Sequence, residues 1–171
     1  MSERPSCIVH WRDVQGADEV HYPGSDELLR INAPLGEAVG LEVMGIHHQI
    51  LKPGRRSSWP HAERDEEEFV YVIEGRPQVW LDGEIHQLEP GDAVGFPKGT
   101  GIAHTVINNT DQDVRLLIVG EKSTPEGQLH YPLHPKRNGE MGAQHWVENR
   151  PERSLGPHDG LPDRLRDRSA R

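Results

Sequence analysis

From Leu41 to Gly120 the chain alternates short apolar runs with residues that break them, and nothing else in it constrains the fold as much. The runs are "LEVMGIHHQI", "EFVYVIEG", "QVWLDGEIHQL", "AVGFP", "HTVIN" and "VRLLIVGE"; "LKPGRRS", "EPGD", "KGTGIAH" and "NTDQD" separate them. Asp82-Gly83 falls in the middle of one run. Such a pair favours a tight hairpin turn, because both turn positions need positive φ. Pro97 stops another run. With 18 Gly, 14 Pro and only 33% hydrophobic residues, the chain suits many short strands better than a helical bundle. The expected class is all-β, a sandwich or small barrel.

At 171 residues the chain can bury a real core within one domain and its extensions. Three segments are expected: an N-terminal extension over 1–37, a barrel over 38–122 and a C-terminal extension over 123–171. The first is polar, with turns at "YPGSDE" and "NAPLGE". Residues 149–171 hold six arginines and four acids, and Leu155, Leu161 and Leu165 are nearly their only apolar groups. Composition alone predicts disorder for such a tail.

A net charge of −9 argues against nucleic acid and anionic membranes as partners. Cys7 stands alone, so no disulfide can form within the chain. The N-terminus has no signal-like apolar run, and no stretch approaches a spanning helix. The expectation is a cytoplasmic protein with a free thiol.

The segment "SSWPHAERDEEEFVYVIEG" crowds His61, Glu63, Asp65, Glu66, Glu67 and Glu68 together. Like charges so close disfavour a compact state unless water or a cation offsets them. Strand alternation puts His61 and Glu63 on one face, with Ala62 turned away. On the next strand Glu68 shares a face with Val70 and Val72. A carboxylate among inward apolar groups needs a partner or a cation. Asp65, Glu66 and Glu67 read as a solvated turn.

The stretch "GRRSSWPHAERDEEEFVYVIEG" resembles the first motif of the cupin superfamily, with Gly54, His61, Glu68 and Gly75 in its positions. "GDAVGFPKGTGIAHTVIN" resembles the second, through Gly91, Pro97, Gly99, His104 and Asn108. The likeness runs over roughly residues 40–122. Two departures stand out. Glu63 occupies the place of the first motif's second histidine, and the spacing is longer by one residue between Gly54 and His61 and by two between Gly99 and His104. The resemblance implies a single jelly-roll barrel that gathers metal ligands inside. Carried over by position, those ligands are His61, Glu63, Glu68 and His104.

Two imidazoles with one or two carboxylates suit Zn, Fe(II), Mn or Ni; zinc is the ion to expect in a purified sample. Glu63 could ligate or act as a base. His47 and His48 are adjacent, so one faces inward and could line a pocket. Trp59 and Phe96 read as core or pocket wall, "GTG" at 99–101 as the turn that delivers His104, and "HPKRN" at 134–138 as a solvated basic patch or subunit contact. The implied function is a metal-dependent enzyme acting on a small polar metabolite, of dioxygenase, isomerase or lyase type. The alternative is a non-catalytic binder of a sugar or metabolite. Phe69, Tyr71 and Ile73 should face outward in a row, an apolar patch that predicts a homodimer.

Overall fold

Among the described residues eleven strands form, the longer ones in the order of the apolar runs. The computed structural model describes residues 4–169. The strands are β1 (Ile31–Pro34), β2 (Met44–Leu51), β3 (Arg55–Arg56), β4 (Ala62–Glu63), β5 (Glu68–Glu74), β6 (Gln78–Leu81), β7 (Glu84–Gln87), β8 (Ala93–Phe96), β9 (His104–Asn108), β10 (Val114–Glu121) and β11 (Leu129–His130). One sheet has the order β1-β2-β10-β5-β8, a second β3-β9-β6-β7, and β11 pairs with β4. The pairings are antiparallel, and the two larger sheets face each other as a jelly-roll barrel.

Alternation along the strands decides what lies between the sheets. Val70 and Val72 of β5 are buried while Phe69, Tyr71 and Ile73 face out. With Leu51, Val79, Leu88, Phe96, Val106, Val114, Leu116 and Ile118 they make the inner core. Asp82 and Gly83 adopt φ of 44° and 93°, the positive values that a two-residue hairpin between β6 and β7 requires. A side chain on Gly83 would collide with the backbone of Gly156.

Both extensions take part in the barrel. Residues 31–34, assigned from the sequence to the N-terminal extension, are the edge strand β1, paired Asn32 to Gln49 and Pro34 to His47. Upstream, Trp11 stacks on the outward ring of His48, with centroids 4.3 Å apart.

The tail, expected from its composition to be disordered, is ordered along the second sheet. Gly156 N–H donates to Asp82 O at 2.6 Å and His158 N–H to Gly83 O at 3.0 Å. Trp80 Nε1 donates to His158 O, Arg153 pairs with Asp82, and buried Arg56 donates to Gly160 O. Trp146 joins Trp80, Ile107, Ala62 and Ala103 in a second apolar cluster. The tail orders through the barrel's hydrogen-bonding groups and Trp80, so its own scarcity of apolar residues does not matter. A short helix over Asp163–Ser169 follows. "HPKRN" opens a helix over Pro135–Met141, where Asn138 is buried and holds both the N–H and the C=O of Tyr131.

Cys7 is exposed and unpaired. Among the described residues no helix is long and apolar enough to cross a membrane.

Two half-buried histidines couple this packing to pH. Burial first, then the charges of Arg150 and His145, pushes His130 down to about 4. Burial and Arg56 do the same to His134, which stacks on Trp59 at 4.0 Å. Both values lie below the ~6.5 of an unfolded histidine. A depressed folded value means the stabilisation is whole above ~6.5 and is lost as pH falls toward ~4. The melting temperature is therefore expected to fall on acidification from about pH 7 to about pH 4.5. His134→Phe keeps the stack and removes the titrating ring, so its pH slope should be flatter. An unchanged slope would show that the neutral ring carries no such linkage.

Candidate metal centre in the barrel cavity

The site starts from a backbone pairing. His61 N–H donates to His104 O at 3.3 Å and His104 N–H to His61 O at 3.0 Å, an isolated antiparallel bridge that brings the two rings to 4.9 Å. Glu63 lies two residues on, on the same face, while Ala62 turns into the second apolar cluster. Glu68 opens β5 beside them. Phe96 lies flat against the His104 ring, 3.5 Å between centroids and 7° between planes.

Each histidine is anchored by the carbonyl two residues before it. His61 Nδ1 is 2.9 Å from Trp59 O, with Ser58 Oγ at 3.3 Å; His104 Nδ1 is 3.5 Å from Ile102 O. A carbonyl oxygen only accepts, so these contacts favour a hydrogen on each Nδ1 and leave each Nε2 turned toward a carboxylate. This is the tautomer in which imidazole offers Nε2 to a metal.

Carboxylates meet those nitrogens. His61 Nε2 lies 3.6 Å from Glu63 Oε1, and His104 Nε2 lies 3.3 Å from Glu68 Oε1. Two lone pairs at that distance need a proton or a cation between them. Burial opposes charge on His61, but the Glu63 hydrogen bond and the Glu63 and Glu68 charges raise its pKa overall. Burial favours the neutral form of Glu68, yet the His104 hydrogen bond and the charges of His104, His61 and Arg30 bring it below the ordinary value.

The four side chains pair off two and two. Among the described residues no three His, Cys, Asp or Glu side chains form a ready-made cage. The donor chemistry nonetheless fits one divalent ion. Both rings are held in the ligating tautomer, and Glu63 Oε2 is buried without any hydrogen-bond partner. A buried carboxylate oxygen left unpaired is costly unless a cation offsets it.

His61, Glu63 and Glu68 line a cavity of about 330 Å³, at the small end of the ~300–1,000 Å³ of small-molecule pockets, and His104 is buried behind Glu68. Arg30, Asn32, His47 and Gln49 form the wall opposite. His47 is the inward member of the His47–His48 pair. Trp59 does not line the cavity; it stacks on Tyr22 and donates to Glu27. Glu66, expected in a solvated turn, lines the cavity instead. It accepts from Ser123, and burial raises its pKa. Ser123 follows β10, far along the chain, so no local pattern marked Glu66. Asp65 stays at the rim, held by Arg64 and the Gln128 N–H.

A jelly-roll barrel that gathers imidazoles and carboxylates beside an internal cavity defines the structural class. Residues 47–120 match the family model described as the cupin domain, and the chain carries a small cupin domain there. It is 38% identical over 80 residues to CurC of Streptomyces cyaneus, described as a polyketide synthase, over 47% of this chain and 50% of that one. The chain spans about half the length of the curated relatives it matches. A solved sugar phosphate isomerase of Silicibacter pomeroyi is 36% identical over 60% of this chain and 64% of its own, with a TM-score of 0.58. The polyketide cyclase RemF of Streptomyces resistomycificus has the same TM-score over 85% of this chain and 99% of its own. At 24% identity it shares the fold.

Proposed function

We propose that the chain is a metal-dependent cupin enzyme that moves a proton beside a carbonyl group of a small polar metabolite held in the barrel. The observation that carries this reading is the buried, unpartnered Oε2 of Glu63, which lines one cavity with His61 and Glu68, Glu68 being paired in turn with His104. Those four side chains would hold one divalent ion, which when bound polarises a carbonyl oxygen of the substrate. Glu66, its carboxyl raised by burial on the same cavity wall, is placed to carry the proton. Isomerising a sugar phosphate through an enediol requires removal of a proton next to a carbonyl. The name of a relative 36% identical to this chain therefore supports the same chemistry.

The test is deuterium exchange. Protein loaded with Zn(II) or Mn(II) is incubated in D2O with dihydroxyacetone or an acetoacetyl thioester. NMR should show incorporation beside the carbonyl, lost with chelator and restored with metal. Binding without exchange in either compound would leave a non-catalytic binder.

The same reading takes the protein as cytoplasmic, with Cys7 a free thiol, and as a homodimer. The tail covers the outer face of the second sheet, but neither extension covers Phe69, Tyr71 and Ile73, which are 42%, 38% and 38% exposed. Face-to-face pairing would bury them at about 1.5–3 kcal/mol each for full burial. Light scattering should give twice the 19.3 kDa chain mass, and Tyr71→Lys should return the monomer. A wild-type mass of one chain would exclude the dimer.

A further inference from the structure

The wall opposite the histidines is itself built for recognition. Asn32 and Gln49 are directly opposed across β1 and β2, and both line the cavity with Arg30 and His47. Gln49 is 93% buried (7% exposed), and its Oε1 has no hydrogen-bond partner. Asn32 gives its Nδ2 to His47 Nδ1 at 3.1 Å, and its Oδ1 is likewise buried and unpartnered. Arg30 uses Nη1 on Ser57 O while its buried Nε has no acceptor. With Glu63 Oε2, four of the eight buried unpartnered side-chain atoms among the described residues belong to this one cavity. Native proteins pair almost all such atoms, so their convergence on one cavity calls for a ligand that completes them.

The pattern they leave open has a definite chemistry. Two carboxamide oxygens ask for donors, and one guanidinium N–H asks for an oxygen. We infer that Arg30, Asn32 and Gln49 form a subsite for a neutral substrate bearing two hydroxyls near its carbonyl, with one hydroxyl oxygen also accepting from Arg30. A phosphate ester fits poorly. It offers only acceptors to the two carboxamide oxygens, and Glu63, Glu66, Glu68 and Glu121 line the same cavity. This deepens the proton-transfer reading above and rests on it for the role of the carbonyl. The recognition can be measured without metal. A dihydroxyketone can be a sugar or a phenol, and the probes separate the two.

Calorimetric titration of the metal-free full chain with 2,4-dihydroxyacetophenone, D-fructose and D-fructose 6-phosphate tests the inference. One neutral probe should bind, the phenol or the sugar marking the source, and the phosphate should bind more weakly. Gln49→Leu should weaken that probe about tenfold, the worth of one buried hydrogen bond. It should leave zinc stoichiometry unchanged and should not lower the melting temperature, because it removes an acceptor that has no partner in the free protein. Gln49→Met serves if the branched side chain does not pack. The inference fails if neither neutral probe saturates, if the phosphate binds tightest, or if the position 49 variant binds like the wild type. It also fails if that variant loses binding only along with its thermal stability. If the wild type takes up no zinc, the metal reading falls while these titrations still decide the subsite.

Discussion

His61→Ala protein is expected to take up no stoichiometric divalent metal, whereas the wild type should carry one ion per chain. His61 is held at both ends. Its Nδ1 is tied to Trp59 O, and its backbone bridges to His104. Its Nε2 therefore cannot be replaced by a small rotation of a neighbour. Removing it leaves one imidazole and two carboxylates, and the ion loses a ligand at about 2.0–2.1 Å. Changes in groups that only support a ligand typically cost 10–100-fold in affinity, so loss of the ligand itself should exceed about a hundredfold. Elemental analysis and zinc titration give the measurement. The pH dependence has a fixed sign. His61 is raised above the ordinary value in the metal-free protein, so metal competes with a proton there more strongly than at a free imidazole. Apparent affinity should fall as pH drops, with proton release on binding. Full metal occupancy in the alanine variant would remove His61 from the site.

Arg56→Ala is expected to cost about 3–5 kcal/mol, the usual effect of breaking a buried ion pair from one side. Arg56 is 1% exposed, and its guanidinium grips Glu27 through two bonds of 2.6 and 2.7 Å. Its third contact is the Gly160 carbonyl, so the residue ties the N-terminal segment and the tail to β3. Alanine would leave the Glu27 carboxylate with only the Trp59 N–H and the Gly160 carbonyl without this donor. At about 2–4 °C per kcal/mol for a chain of this size, the melting temperature should fall by about 10 °C. The tail's arginines should become open to trypsin. The double change Arg56→Met with Glu27→Leu should recover most of the loss, because a buried pair replaced by apolar groups is often neutral. A cost below about 1 kcal/mol for the single change would mean that the pair is solvated and weak.

The part of the site that could be read in advance is the part written locally. His61 and Glu63 share a face because a strand has a period of two, and Glu68 turns inward for the same reason as Val70 and Val72. Glu66 sits one residue from solvated Glu67 and two from Glu68. Its place in the cavity depends on Ser123, which no local pattern connects to it. Arg30, Asn32 and Gln49 escaped for a related reason. β1 has four residues and begins in a polar segment, so its period of two becomes visible only once β2 pairs with it.

The strand spacing, the positive-φ pair at Asp82-Gly83 and the histidine and glutamate positions were set by the sequence alone, since each depends on near neighbours and backbone sterics. The order of the tail, the capture of Arg56 and the polar wall facing the histidines were decided only by the tertiary structure. Each depends on hydrogen-bond partners far along the chain, and such pairings exist only after the sheets have closed. A residue's own neighbourhood in sequence carries no record of the acceptor it will meet there.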